Sequence, residues 1–445
     1  MSQQTSASSS SSDGLPTVLA VGTGEYTTGY VGGSQSPSDK KLGVIGLVMF
    51  DLRRRGLIAP EIKMVGTNGD KFAGIRQHFK ANIEDKYREM STEFTSYPAP
   101  GIRDGDAYKA AIDSLKPGDA ITIFTPDSTH FDIAMYAIQR KIHVLVTKPA
   151  TQTLEHHQTL VEAAHKHGVL CMVEHHKRFD PAYADSRQRA RDTLGDLNYF
   201  YSYMSQPKNQ LETFKAWAGR DSDISYYLNS HHIDICLWFT QNRAIPLRVT
   251  ASASAGIATD KGCVAGTEDT ITLLVDFAIL ESQDSPDASL KQAEGKRATA
   301  VFTASWAAPQ GAGVHSEQFF HYVGTRGETR VNQARRGYQL VQEDAAQQLT
   351  GGSSTDYNPF YMRYTPDGEG YFAGQHGYGY ISLENFIQAA TKINRSQRKP
   401  EDYDRVLPTI KDTVLTTAIL EAGRRSLDSK KTVNIVHKDG KWSLE

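Results

Sequence analysis

The chain has 445 residues, a length that suits two domains better than one. Charged residues make up 22% and hydrophobic residues 39%, an ordinary globular composition, and a formal net charge of −2 gives no electrostatic reason to expect nucleic acid or a membrane as partner. No apolar run approaches the roughly 20 residues that span a bilayer; Gly43 to Phe50 is the longest candidate and reads as a buried helix.

The opening residues, MSQQTSASSSSSDG, have neither a basic region nor an apolar one. No secretory signal is expected there, and residues 1–14 read as a loose serine-rich tail. Cys171, Cys236 and Cys263 are isolated in the sequence, which favours a reducing compartment, with the cytoplasm as the expectation.

Thr17 to Val21 is a short apolar run that ends in glycine, and Leu42 to Leu52 follows with helical spacing. Ile62–Val65, Ala120–Phe124, Ile142–Val146 and Val169–Val173 are further strand candidates, with helices expected at about Phe131–Gln139 and Leu154–His167. Continuous apolar strands alternating with helices predict a doubly wound parallel sheet of Rossmann type, covered on both faces. After about residue 180 the rhythm changes. Ala253–Ala258, Thr270–Phe277, Ala298–Ala304 and Phe319–Val323 read as strands separated by turns at Asp260-Lys261-Gly262 and Arg326-Gly327. Strand following strand predicts an α+β domain with a large, mostly antiparallel open sheet. Leu407–Ser426 reads as a helix that covers it, and Gly351–Gly379 as one long loop. The expected division is a dinucleotide domain over 15–178 and a substrate and oligomerisation domain over 179–445.

Gly22-Thr23-Gly24 directly follows the first strand, where glycines let the main chain approach a pyrophosphate. Thr27 takes the usual third glycine position, and Tyr26 opens a long excursion before the next helix. After the second strand, Thr67, Asn68 and Lys71 stand where an acidic residue would take a ribose 2′-hydroxyl, with Arg76 beyond. Neutral groups beside cations suit a 2′-phosphate, so NADPH is the expected cofactor, with NADH tolerated. The histidines His156, His157, His165, His167, His175 and His176 offer no ligand spacing for zinc, and no metal is expected. His175, His176, Lys177 and Arg178 follow the last strand of the first domain, where they either face the cleft or form an interdomain hydrogen-bond network. His156 and His157 read as a solvated helix face.

Four ordered segments carry a family likeness: Thr125-Pro126-Asp127-Ser128-Thr129-His130, Thr147-Lys148-Pro149, Arg178-Phe179-Asp180-Pro181, and His231-His232-Ile233-Asp234 with Trp238. In this order they resemble the glucose-fructose oxidoreductase/inositol dehydrogenase (Gfo/Idh/MocA) family, over about residues 17–436. The resemblance implies a Rossmann domain, an α+β domain whose open sheet forms a homodimer contact, and hydride transfer between a nicotinamide and a small carbohydrate. It adds Thr125, Pro126, His130 and Lys148 to the cofactor contacts, places the family's strand-end lysine on Lys148, and sets its Asp-x-x-x-His pair on Tyr227 and His231. Two departures stand out: Thr147 replaces the usual glutamate and Tyr227 the usual aspartate. Within the family, Tyr201–Pro207 and Tyr226–His232 look most like fungal D-galacturonate reductases.

From the residues themselves, Lys148 at a strand end is a candidate oxyanion stabiliser and His231 a candidate general acid. Asp234 lies close enough on a helix to orient His231, and Tyr227 one turn earlier could donate to the substrate. Lys177, Arg178 and Asn229 are the candidates for holding a substrate carboxylate. The expected reaction is reduction of a sugar-acid aldehyde, D-galacturonate to L-galactonate. The alternatives are a neutral-sugar or inositol dehydrogenase, and a non-catalytic NADP-binding transcriptional co-regulator.

Overall fold

A computed structural model describes residues 14–36, 40–281, 290–309, 316–342 and 353–445. The serine-rich residues 1–13 lie outside the described part.

Six parallel strands form the first sheet: β1 (Val18–Val21), β2 (Ile62–Val65), β3 (Thr95–Tyr97), β4 (Ala120–Ile123), β5 (His143–Thr147) and β6 (Cys171–Glu174), in the order β3-β2-β1-β4-β5-β6. Strands β1, β2, β4 and β6 are buried along their whole length, as expected of a sheet covered on both faces. Helix α1 (Val44–Arg54) and helix α2 (Leu154–His167) are among its covers. The Thr153 side chain caps α2 by accepting from the His156 amide, and Gly168 ends it at φ 65°. His157 is fully buried rather than solvated. Its ring bridges Thr417 Oγ1 at 2.7 Å and the Ile410 carbonyl at 2.6 Å, and burial pushes its pKa down to about 4. His156 stacks on Phe131 at 3.9 Å.

The second sheet has eight strands: β7 (Leu197–Pro207), β8 (Ala244–Ala255), β9 (Glu268–Leu280), β10 (Gln292–Ala308), β11 (Glu317–Gly324), β12 (Gly327–Asn332), β13 (Val433–Lys438) and β14 (Lys441–Leu444). Their order is β12-β11-β7-β10-β9-β8-β13-β14, antiparallel except for the β7/β10 pair. Alternation decides the faces: Ile271, Leu273, Val275 and Phe277 of β9 point inward, while Leu274 is 46% exposed on the other side. The inner face packs under α3 (Ser230–Phe239) and a late helix, Val414–Ser429. That helix starts later than the sequence pattern suggests. Pro408 disfavours helix before it, and residues 408–410 instead bond to β6, with Val173 donating to the Pro408 carbonyl and Ile410 to that of Cys171, each at 2.8 Å. Strand β8 ends at Ala255, because Gly256 (φ 131°) turns the chain into a short helix, Ile257–Asp260. All three cysteines are free and buried. No described helix is long and apolar enough to cross a membrane.

The stretch 353–377 is not one loop. Ser353–Tyr357 pairs with Tyr338–Gln342, and irregular chain then leads into α4 (Tyr378–Asn394). This helix packs not on the second sheet but on the first domain, where Tyr380, Leu383, Phe386 and Ile387 share a core with Val44, Leu47 and Val48 of α1. A single cut at residue 178 therefore separates the two sheets but not the packing units. The junction is polar and specific. Asp51, fully buried on α1, accepts from Tyr380 Oη at 2.7 Å and Gln375 at 3.0 Å, and pairs with Arg54 at 2.7 Å. Asp51→Ala should leave the buried Tyr380 hydroxyl without its acceptor and lower stability by about 2 kcal/mol. Thermal unfolding, with hydrogen exchange in 378–394 as the local readout, checks this; undiminished stability would show that the apolar contacts alone hold the helix.

Candidate active site

Strand β1 runs into Gly22, which sits at φ 101° with its main chain against β4's exit: a Cβ there would lie 2.1 Å from the Phe124 carbonyl oxygen. Only glycine fits. Gly24 is the opposite case, since nothing lies within 4 Å of where its Cβ would be, so its main chain faces open space. The helix that usually follows directly is reduced to one turn, Glu25–Thr28, closed by Gly29 at φ 67°. The chain then makes a small hairpin before α1 begins. A blocked glycine and an open one, next to a helical turn, make a cradle for a pyrophosphate, and the residues present fit a dinucleotide.

Around this loop the candidate contacts divide. Thr23 and Lys71 come together, with Lys71 Nζ 3.4 Å from Thr23 Oγ1. Thr67 is exposed and Asn68 half-buried at the same edge. Asp70 is spent on the loop itself, accepting from the Gly101 amide at 2.7 Å, and Arg76 reaches away to the Phe94 carbonyl and Ser96. Among the described residues no carboxylate pairs with Lys71. Thr27 is turned inward and 1% exposed, so its side chain supports the turn rather than meeting a ligand. His130 is fully buried, with one ring nitrogen 2.8 Å from the Pro149 carbonyl and the other 2.9 Å from that of Thr125. It braces the two loops that flank the cleft and cannot touch a cofactor itself. Thr125 bonds to Thr129 at 2.7 Å, and Pro126 is exposed at the rim. Tyr26 stacks on Phe124 at 5.0 Å and bonds to Tyr361 at 2.7 Å, joining the glycine loop to the C-terminal segment.

Lys148 leaves the end of β5 ahead of a cis peptide to Pro149. Its ammonium donates to the main-chain carbonyl of Tyr227 and lies 4.3 Å from the centre of that residue's ring. The acceptor exists because the helix is irregular there. Ser225–Asn229 form a π-turn leading into α3, and such a turn leaves a carbonyl open to a partner outside the helix. The same turn breaks the simple one-turn relation expected between Tyr227 and His231. The Tyr227 ring packs against Phe214 and Trp217, at 5.1 and 5.3 Å. Burial lowers the Lys148 pKa to about 8, with Asp127 and Glu174 opposing the shift and Lys40 adding to it.

The remaining candidates are distributed differently from the sequence expectation. Arg178 makes a buried two-pronged pair with Asp234 (2.8 and 2.6 Å), so Asp234 holds the arginine and does not orient His231. Both side chains are committed to the domain junction. Asn229 is 1% exposed and donates to Ser225 and to the Ile271 carbonyl of β9, facing the second sheet instead of the cleft. Lys177 is buried and donates to Gln318 and Gln333, and burial pushes it down to about 7. His232 bonds to Tyr183 at 3.0 Å within the core. His231 is 8% exposed, and its Nδ1 has no partner among the described residues; burial, then the charges of Lys148 and Lys177, hold it well below the ordinary imidazole range.

His176, one of the four residues after the last strand of the first sheet that the sequence allowed to face the cleft, completes the site with three groups the sequence did not single out, Glu174, Tyr361 and Tyr378. His176 lies 5.3 Å from His231, ring centre to ring centre, between Tyr361 and Tyr378, and its Nδ1 is 2.8 Å from Glu174 Oε2. The two tyrosines come from the stretch read as a loop, so no local pattern pointed to them. Among the described residues no group of three or more His, Cys, Asp or Glu side chains is arranged to hold a metal.

A parallel sheet in this strand order, a glycine cradle at its carboxyl edge and a second, mostly antiparallel sheet define a two-domain fold built on an NAD(P)-binding Rossmann domain. Residues 65–175 match the GFO_IDH_MocA family, described as "Oxidoreductase family, NAD-binding Rossmann fold". The chain is similar to the scyllo-inositol 2-dehydrogenase (NAD(+)) of Bacillus subtilis, 33% identical over 190 residues, which covers 40% of this chain and 52% of the relative. It is also similar to the UDP-N-acetylglucosamine 3-dehydrogenase of Acidithiobacillus ferrooxidans, 29% identical over 201 residues, 44% of this chain and 57% of the relative. These matches span about half the length of the curated relatives. In structure it resembles the scyllo-inositol dehydrogenase of Lactobacillus casei with bound NAD(H) and scyllo-inositol, at a TM-score of 0.59 and 14% identity, covering 94% of this chain and 99% of that one. That likeness concerns the fold.

Gly22→Ala tests the cradle. The added methyl must push the loop off β4, and dinucleotide affinity should fall by at least about tenfold, or 1.4 kcal/mol, with the fold intact. Calorimetric titration with NADPH and NADH reads this; unchanged affinity would place the pyrophosphate elsewhere.

Proposed function

We propose that this chain is an oxidoreductase that prefers NADPH and reduces the aldehyde of a hexuronate, D-galacturonate to L-galactonate. The observation that carries the reading is the meeting, at the carboxyl edge of the dinucleotide sheet, of a half-buried lysine and two imidazoles, one of which feels the lysine's charge. The cradle at Gly22, Thr23 and Gly24 would hold the pyrophosphate, and Thr67, Asn68 and Lys71 the adenosine ribose. Lys71, near Thr23 and paired with no carboxylate among the described residues, with Asp70 turned away, supports a 2′-phosphate there. When bound, the nicotinamide supplies a hydride.

The chain's own residues then have two tasks. Lys148, fixed by the Tyr227 carbonyl, is placed to hold the carbonyl oxygen and stabilise its developing charge. One imidazole of the His176–His231 pair would deliver the proton. The lysine charges of Lys40, Lys148 and Lys177 act on one another here, while Arg178 is neutralised by Asp234. Asp127, Glu174 and Asp180 oppose these charges, and Lys177 is as buried and committed as Arg178 and Asn229, which leaves Lys40 as the candidate anchor for a substrate carboxylate. A second reading, oxidation of an inositol or neutral sugar, is favoured by the names of the relatives. The outward face of the second sheet, with Leu274 exposed on it, is proposed as the contact for a second copy of the chain.

A panel of galacturonate, galactose and scyllo-inositol with both cofactors separates the readings. Galacturonate with NADPH should exceed galactose in kcat/KM by about tenfold, 1.4 kcal/mol. Equal rates on galactose, or turnover of the inositol alone, would overturn the uronate assignment.

The Lys148 pKa of about 8 sets a direction with pH. The ammonium is charged below that value and loses its proton as pH rises through it, so reductive kcat should fall above about pH 8. Lys148→Met should lower kcat by about 10²–10³ and abolish that limb, with NADPH affinity little changed. A variant with normal turnover would remove the lysine from the mechanism.

A further inference from the structure

Strand β6 ends in Glu174, whose register partner on β5 is Thr147, the residue before Lys148. The carboxylate is 2% exposed. A buried carboxylate is costly unless something answers its charge, and here one oxygen, Oε1, has no hydrogen-bond partner among the described residues, while the other lies 2.8 Å from His176 Nδ1. The turn at His175 (φ −94°, ψ 65°) separates the two histidines: His175 faces Asp234 at 3.6 Å, and His176 returns to the side of Glu174.

The His176 side chain keeps 14% of its surface exposed, and its Nε2 is neither hydrogen-bonded within the described residues nor sealed in the interior. A carboxylate behind Nδ1 fixes the tautomer of an imidazole and offsets the charge of the protonated ring. The neighbouring His231 has no such partner. Its Nδ1 is buried without a bond among the described residues, and burial, then the charges of Lys148 and Lys177, disfavour its charged form. Of the two rings, His176 is the one built to cycle a proton.

We infer that His176 is the catalytic acid–base of this site and that Glu174 is its positioning residue, with His231 a neutral hydrogen-bonding neighbour. The assignment rests on the oxidoreductase reading above. In reduction, the oxygen of the forming alkoxide takes the Nε2 proton, the N–H electron pair stays on the imidazole, and Glu174 keeps its charge throughout. Solvent returns the proton to Nε2. The groups facing His176 in any pH profile are Glu174 from β6, His231 from α3, Lys148 from β5 through its field on His231, and Tyr361 and Tyr378 from the C-terminal segment.

The test has two arms on the full chain. Nitrogen-15 NMR of the histidines in the free protein should show His176 protonated at Nδ1 in the neutral form, and Glu174→Gln should redistribute that tautomer. In turnover, His176→Asn and Glu174→Gln should each lower kcat by about 10²-fold or more with KM changed less than threefold, the range of a general acid–base group. Glu174→Asp should recover part of the loss, and His231→Asn should cost under tenfold. Near-normal kcat in His176→Asn, with a large loss in His231→Asn, would overturn the assignment while leaving the oxidoreductase reading intact. A His176 tautomer indifferent to Glu174→Gln would overturn it in the NMR arm. No turnover of any sugar by the parent protein would sink the oxidoreductase reading instead, and the NMR arm still decides whether Glu174 governs the His176 ring.

Discussion

A lysine ammonium at the end of a buried strand must be answered by a fixed acceptor, and this requirement organises the centre of the molecule. Lys148 belongs to the first sheet, and its acceptor, the Tyr227 carbonyl, belongs to the helix of the second domain. The π-turn at Ser225–Asn229 makes that carbonyl available, and the Tyr227 ring covers the charge with its face. Desolvation of the ammonium lowers its pKa to about 8, against the opposing fields of Asp127 and Glu174.

The same logic extends along the crossing between domains. Residues 177–180 are not a slack hinge. Lys177 reaches Gln318 and Gln333, Arg178 pairs with Asp234, and Asp180 caps the helix that follows while binding Arg336. Each link is buried or nearly so, where a lone charge would cost several kcal/mol. Such pairs add modest net stability, but they permit few alternative arrangements. The orientation of the two sheets, and with it the width of the cleft, is set by them.

The third wall of the site comes from far along the chain. Residues 358–394 leave the second domain, pack against α1 through Asp51 and Tyr380, and carry Tyr361 and Tyr378 to the rings of Tyr26 and His176. The cleft is therefore closed by a segment whose own stability depends on the first domain. The glycine loop, the His176–His231 pair and this wall are joined through the Tyr26–Tyr361 contact and the packing of His176 on Tyr361.

Local pattern was enough to reveal the sheets. Continuous apolar strands such as Val18–Val21 and alternating ones such as Glu268–Leu280 differ in period because one is buried on two faces and the other on one. Gly22 and Lys148 were legible for the same reason, since each stands at a strand end where position alone implies a role. Partner choice was not legible. Asp234 binds Arg178 instead of His231, Asn229 turns to β9, and Glu174 takes His176, because each pairing depends on which elements the fold brings side by side. A sequence records which groups can donate, accept or carry charge; only the packing of two domains and a returning segment decides which of them meet, because every buried polar group must find its partner in three dimensions.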